Sequence, residues 1–242
     1  MRTLVVVPTY EEAGTIVDVL RRVRAAMPDA AILVVDDSSP DGTADVAEAA
    51  ARELGAVDVM RRPTGSGLGA AYRAGFRWGL EHGYDAFIEM DADLSHDPAA
   101  LPAFQSRLAT GADLVVGSRY VSGGTIPAWA RWRRALSRWG NRYANAALRL
   151  GVVDATSGFR IYRGAALATV DFEHGRANGY GFQIEMVYRF VRAGYRVAEI
   201  PIHFSERTTG ASKMSWRIIV EAFVLVTFWG VRDRLKPGRY GT

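Results

Sequence analysis

At 242 residues and 49% hydrophobic content, the chain can bury a sizeable core as one large domain or two small ones. It contains no cysteine, which excludes disulfides and thiolate metal sites. The formal charge of +4 belongs to one element: residues 129–150 hold six arginines and no acid, and without those six the rest of the 30 basic residues are outnumbered by the 26 acids.

In chain order, residues 4–7 form a short apolar strand ending at Pro8, and Ile16, Val19, Leu20, Val23 and Met27 recur at helical spacing. Residues 32–35 predict a second strand, closed by "DDSSPDGT", and residues 44–54 a helix. A weaker strand at 57–60 precedes the Gly-rich "TGSGLGAAYRAG", which opens a further helix. Residues 86–90 lead into "DADLSHD", and 114–116 lead into "GSRY". Strands alternating with helices over about the first 120 residues predict a mostly parallel α/β sheet. The N-terminal apolar run is too short for a signal peptide, and the apolar stretch 218–230 is interrupted by Glu221 and falls short of the roughly 20 residues needed to span a bilayer. A soluble or membrane-peripheral protein is therefore expected.

Asp91 and Asp93 stand one residue apart where the fourth apolar run ends. In extended chain, residues i and i+2 point to the same side, so both carboxylates can meet one cation; an acidic turn is the competing reading. In parallel α/β sheets, ligands bind beyond the carboxyl ends of the strands, and "PTYEE", "DDSSPDGT", "DADLSHD" and "GSRY" all fall there. A dinucleotide fingerprint after the first strand is missing, since "PTYEEAG" occupies its place, and no Walker loop is present. Neighbouring strand residues face opposite ways, so only one of Asp36 and Asp37 can face a pocket, where it can accept hydrogen bonds from a base or ribose. An Asp-x-Asp holding Mg²⁺ or Mn²⁺ then suits the diphosphate of a sugar nucleotide.

The blocks "VVVPTYEE", "VVDDSSPDGT", "MDADLSHDP", "VVGSRY", "SGFRIYR", "GYGFQIEM" and "EIPIHFSERTTGASKMS" resemble, in order, the family-2 inverting glycosyltransferases of the GT-A fold, and within them the polyprenyl- or dolichyl-phosphate mannose synthases. The resemblance spans about residues 3–216. It implies that Pro8, Tyr10 and Glu12 lie in the first nucleotide-contacting loop, with Val35 and Asp37 on the base and ribose side. It places Asp91, Ala92 and Asp93 at the metal and diphosphate, with Ser95 a further ligand, and Arg119, Arg207 and Lys213 near the nucleotide or phosphates. Arg207 and Lys213 would supply positive charge to the leaving group, although Arg207 can instead pair with Glu206.

Within residues 129–150, Trp129, Trp132, Leu136, Trp139, Tyr143 and Leu150 define one aromatic and apolar helix face, with the arginines mainly elsewhere. A basic, Trp-rich amphipathic helix suits an anionic membrane surface better than nucleic acid. The resemblance implies that Arg133 and Ser137, one helical turn apart, hold a lipid phosphate together with Arg119; Arg131 and Arg134 are the alternates under a shift of register. Glu185 can line the acceptor pocket or sit on a helix surface, His96 reads as a turn residue, and His203 as strand structure.

The expectation is a single GT-A catalytic domain, residues 1–215, with a mostly parallel mixed sheet and C-terminal amphipathic interfacial helices at 216–242, peripheral on the cytoplasmic face of the membrane. It would transfer mannose from GDP-mannose to a polyprenyl phosphate with inversion, using Mg²⁺ or Mn²⁺, with no nucleic-acid partner. Residues 216–231 would lie on the membrane or seat a membrane-protein partner. UDP-glucose is the alternative donor, and a non-catalytic nucleotide-sugar or lipid-phosphate binding module is the alternative class.

Overall fold

The computed structural model describes residues 1–63, 67–126, 129–175, 177, 179–205 and 216–235. Arg207 and Lys213, and with them Glu206, lie outside the described residues. Seven strands form one sheet: β1 (Thr3–Thr9), β2 (Ala31–Asp36), β3 (Val57–Arg61), β4 (Ala86–Glu89), β5 (Leu114–Ser118), β6 (Arg160–Arg163) and β7 (Val197–Pro201). Their order is β3-β2-β1-β4-β6-β5-β7. All neighbours run parallel except β6, which runs antiparallel to β4 on one side and β5 on the other. The sheet is mixed and mostly parallel, as expected.

The helices are α1 (Ile16–Ala26), α2 (Thr43–Leu54), α3 (Leu68–Glu81), α4 (Leu101–Ala109), α5 (Arg131–Leu148), the short α6 (Gly164–Leu167), α7 (Gly179–Arg192) and α8 (Trp216–Leu235). Alternation along β1 sends Leu4 and Val6 to one face of the sheet and Val5 and Val7 to the other, so each strand feeds two cores. One core takes the buried side of α1, made by Ile16, Val19, Leu20 and Val23, with Phe104 and Leu108 of α4. The other takes Tyr72 and Phe76 of α3, Phe182 and Phe190 of α7, Leu148 of α5, and Trp229 of α8. Gly75 and Gly79 let α3 lie against the sheet: a Cβ at Gly75 would fall 2.5 Å from Val6 Cγ1, and one at Gly79 would fall 2.4 Å from Phe87 Cε1.

Two expectations about the C-terminal half change. The buried residues of α5 are Asn141, Ala144 and Leu148, whereas Trp132 and Trp139 are 67% and 55% exposed. The aromatic stripe is therefore shared: Tyr143 and Trp139 stack on Phe223 of α8, and Trp132 stands in solvent. Nor is α8 amphipathic in the expected sense. Ala222, Val226 and Trp229 join the sheet's core, while Val220, Phe223, Val224, Phe228 and Val231 are exposed, so both faces are apolar. Because α8 contributes to the same core as the strands, it is packed into the fold rather than appended to it. Among the described residues, no helix is long and apolar enough to cross a membrane.

Candidate active site

The loops beyond β1 and β2 are stitched to each other. Successive backbone N–H groups of Glu11, Glu12 and Ala13 donate to Ser39 Oγ (3.1 Å), Thr43 Oγ1 (2.9 Å) and Asp41 Oδ2 (3.0 Å). Glu11 and Ser38 hold the left-handed backbone conformation that makes these reversals possible, with φ of 58° and 56°. Asp36 turns inward and accepts from the Thr9 hydroxyl (2.9 Å) and the Ser39 N–H (2.9 Å). Asp37 faces the other way and pairs with Arg62 at 2.7 Å. Burial raises the Asp37 pKa, and the Arg62 charge opposes but does not cancel it. Of the residues expected at the nucleotide, Tyr10 is exposed on the rim and Glu12 half-buried below it. Pro8 and Val35 are buried strand residues, Val35 with no exposed surface.

Past β4 the chain turns through Asp91 and Asp93. The Tyr72 hydroxyl points at Asp91 Oδ1 (3.4 Å), and the Asp91 N–H donates to His96 Nδ1 (3.3 Å). Asp93 Oδ1 accepts from both the N–H (3.0 Å) and the hydroxyl (2.6 Å) of Ser95. Ser95, expected as a metal ligand, is thus buried with its hydroxyl proton committed to Asp93, where it orients the carboxylate. The donor set is hard oxygen, fixed in direction by Tyr72 and Ser95. Among the described residues, no group of three or more His, Cys, Asp or Glu side chains converges as a closed cage. Two oriented carboxylates without a cage fit Mg²⁺ or Mn²⁺, which completes its shell with substrate phosphate and water. Asp91 and Asp93 would hold it.

His96 is buried, stacked on Phe159 (centroids 4.9 Å apart), and forms a β-bridge with Phe204. His203 bridges to Thr125. Both histidines are structural in position, and the Ser205 N–H to Ser95 carbonyl bond (3.0 Å) ties the aspartate loop to the chain that enters residues 206–215.

Sequence reasoning missed the layer beneath. Glu89 is fully buried at the end of β4 and accepts from the Tyr162 hydroxyl (2.5 Å) and from Gln183 Nε2. Burial raises its pKa, against the pull of Arg160. Arg160 is itself fully buried and donates to the carbonyls of Ser157, Gln183 and Ala155, each at 2.7 Å. An acid inside an otherwise apolar strand was the one available signal.

Arg119 departs most from expectation. It is 5% exposed, and its Nε and Nη2 each lie 2.7 Å from Asp154 carboxylate oxygens. Its Nη2 also donates to Thr156 Oγ1 (2.8 Å). The Arg119 charge is already matched inside the protein by Asp154. Glu199 of β7 receives the Val153 and Asp154 N–H groups, and Asn141 of α5 donates to Thr156, so this pair anchors α5 to the sheet.

Arg133 and Ser137 do come together, on the wall of an apolar groove between α5 and α8. Its walls include Leu136, Tyr143, Thr156, Tyr180, Ile184, Phe223 and Val226. Among the described residues Arg133 has no carboxylate partner, and its Nε is enclosed without a hydrogen-bond partner. Arg131, Arg134 and Glu185 do not line the groove. Glu185 is instead paired with Arg189 at 2.7 Å. The groove meets the aspartate loop through one short segment: Thr156 lines it, and at Gly158 a Cβ would sit 3.6 Å from Asp91 Oδ2.

The model of the family described as glycosyl transferase family 2 matches residues 4–170. The chain belongs to glycosyl transferase family 2. This glycosyltransferase is 48% identical over 234 residues to an undecaprenyl-phosphate mannosyltransferase of Micrococcus luteus, covering 97% of this chain and 96% of that one. It is 47% identical over 240 residues to a polyprenol monophosphomannose synthase of Mycolicibacterium smegmatis, covering 98% and 90%. Its fold is the GT-A fold of glucosyl-3-phosphoglycerate synthase from Mycobacterium tuberculosis, solved with Mn²⁺, UDP-glucose and phosphoglyceric acid. The TM-score is 0.72 at 22% identity, over 95% of this chain and 80% of that one.

Proposed function

We propose that this glycosyltransferase moves mannose from GDP-mannose to a polyprenyl monophosphate with inversion, giving polyprenyl-phosphate mannose and GDP. The observation that carries the reading is the groove: it is lined mainly by apolar side chains, with Ser137 and with Arg133, which has no carboxylate partner among the described residues, and residues 156–158 join it to the Asp91 and Asp93 loop. An apolar tail with an anionic head is the ligand that such a lining recognises. The relatives named for transfer to undecaprenyl phosphate and polyprenol support the same class of acceptor.

The chemistry follows from the acceptor. A phosphate monoester has a second pKa of about 6 and is already an anion near neutrality, so it attacks the anomeric carbon without a general base. The new C–O bond forms on the face opposite the diphosphate, the old C–O bond breaks, and its electron pair leaves on GDP. Arg133 and Ser137 hold the attacking phosphate and position it. Asp91 and Asp93 would hold the divalent ion, which when bound would neutralise charge on the diphosphate. Arg207 and Lys213, outside the described residues, are assigned to the same leaving group. Tyr10, Glu12 and Asp37 line the nucleoside end of the rim.

The exposed Trp132 and Trp139 of the arginine-rich α5 and the exposed Val224 and Phe228 of α8 are assigned to the cytoplasmic leaflet as a peripheral seat. The test is GDP release from GDP-mannose in the presence of a short polyprenyl phosphate and Mn²⁺, run beside UDP-glucose. Release that depends on acceptor and ion together supports the reading. Preferential turnover of UDP-glucose would replace the donor, and nucleotide binding without turnover would refute catalysis.

A further inference from the structure

The Arg133 guanidinium lies over the Trp129 ring, 4.1 Å from its centroid, and Trp129 is only 8% exposed. A second cation near the same indole is the buried Arg119, 5.4 Å from the centroid. Phe204 meets the indole edge-on at 5.5 Å. One indole is thus shared by two cations of opposite status: Arg119 is neutralised by Asp154, and Arg133 has no carboxylate partner among the described residues.

We propose that Trp129 is a positioning residue for the acceptor phosphate: its ring, held in contact with Phe204 and Arg119, fixes the Arg133 guanidinium on the wall of the groove. The physical argument is one of entropy and desolvation. A long Arg side chain left free in a groove loses several rotors on meeting its ligand, whereas a stacked, planar guanidinium has already lost them. A ring quadrupole attracts the cation without neutralising it, so the full charge remains for the phosphate. A carboxylate in the same place would hold the arginine equally well but would cancel that charge.

These contacts also reach the donor side. Phe204 forms the bridge to His96, and the next residue, Ser205, donates to the carbonyl of Ser95, whose hydroxyl orients Asp93. Trp129 therefore stands in contact with the segment that touches the aspartate loop and with the helix that carries Arg133. This gives a packed connection between the two halves of the reaction.

The inference rests on the reading of the groove as the lipid-phosphate site, and the experiment separates the two. Steady-state kinetics with a short polyprenyl phosphate in detergent would compare the full-length chain with W129A, W129L, W129F, R133A and the W129A/R133A double variant, each checked by thermal melting. W129A and W129L are expected to raise the acceptor KM roughly tenfold with the donor KM unchanged, and W129F to keep most of the wild-type value because a ring face remains. The double variant is expected to match R133A, because the indole acts through that arginine. Multiplying effects in the double variant would overturn the proposal, as would a wild-type acceptor KM in W129L. If W129A fails to fold, W129L, which keeps apolar bulk against Phe204, and W129F decide it. An R133A variant with unaltered acceptor KM would instead refute the groove as the acceptor site.

Discussion

Arg119 and Asp154, 35 residues apart in the chain, form a two-pronged ion pair with side chains only 4% and 0% exposed. Removing one member of such a pair leaves the other charged and desolvated, so Asp154→Ala should cost about 3–5 kcal/mol in a denaturant titration. Burial acts to raise the Asp154 pKa, but the Arg119 charge and its hydrogen bonds outweigh it and hold the carboxyl below its ordinary value of 3.8. A depressed folded-state pKa contributes stability that is present above 3.8 and is lost as pH falls through the lower folded value. The variant should therefore lose less than the parent on acidification below that point. An unchanged acid limb would show that Asp154 does not titrate with folding.

Glu89 works in the opposite direction. Burial lifts its folded pKa above 4.5 despite Arg160, so the folded state holds a proton that the unfolded chain releases, and stability declines as pH rises through that interval. Glu89→Gln keeps an acceptor for Gln183 and carries no charge. Its stability relative to the parent should improve as pH rises above 4.5 in paired urea titrations. A relative loss over that range would mean that Glu89 is ionised against Arg160.

Asp93 and Ser95 should separate in a metal titration. Asp93→Ala is expected to abolish turnover while the melting curve is retained. Ser95→Ala keeps the backbone N–H to Asp93 Oδ1 and loses the hydroxyl, so it should weaken Mn²⁺ binding about 10- to 100-fold. Binding read by electron paramagnetic resonance supplies a measure independent of activity. Full activity of Asp93→Ala in chelator would remove the metal role.

Gly75 sets how closely α3 approaches the sheet. Adding a Cβ would place it 2.5 Å from Val6 Cγ1, so Gly75→Ala should cost about 1–3 kcal/mol by overpacking. Activity per folded molecule should persist. An unshifted midpoint would show that the helix can slide outward freely.

The exposed face of α8 can be tested without disturbing its buried one. Val224 and Phe228 lie one turn apart at 57% and 59% exposure. Their replacement by glutamate should release the protein from phosphatidylglycerol vesicles in flotation and leave the melting temperature in place. Deleting residues 216–242 would be a poorer probe, since Ala222, Val226 and Trp229 belong to the core.

Much of this was legible from local pattern. Apolar runs three to five residues long predicted β1 to β5, though not β6 and β7; Ile16, Val19, Leu20 and Val23 predicted the buried face of α1, and the polar clusters fell at strand ends because loops there are free of sheet packing. The ordered motifs identified the family. What the chain alone could not say was how charges and aromatic faces are partnered across distance. Arg119 and Arg133 are both arginines beside aromatic residues in sequence, yet one meets Asp154 and the other lies on a ring with no carboxylate partner among the described residues, because the Asp154 loop folds back beneath α5. Period 3.6 marks an apolar stripe on α5 but not what covers it; α8 covers Tyr143 and leaves Trp132 bare. Sequence determines the local periods and which chemistry is available. The tertiary structure decides which charges are cancelled, because Coulomb and ring contacts depend on positions that only the assembled sheet and helices bring within a few ångströms.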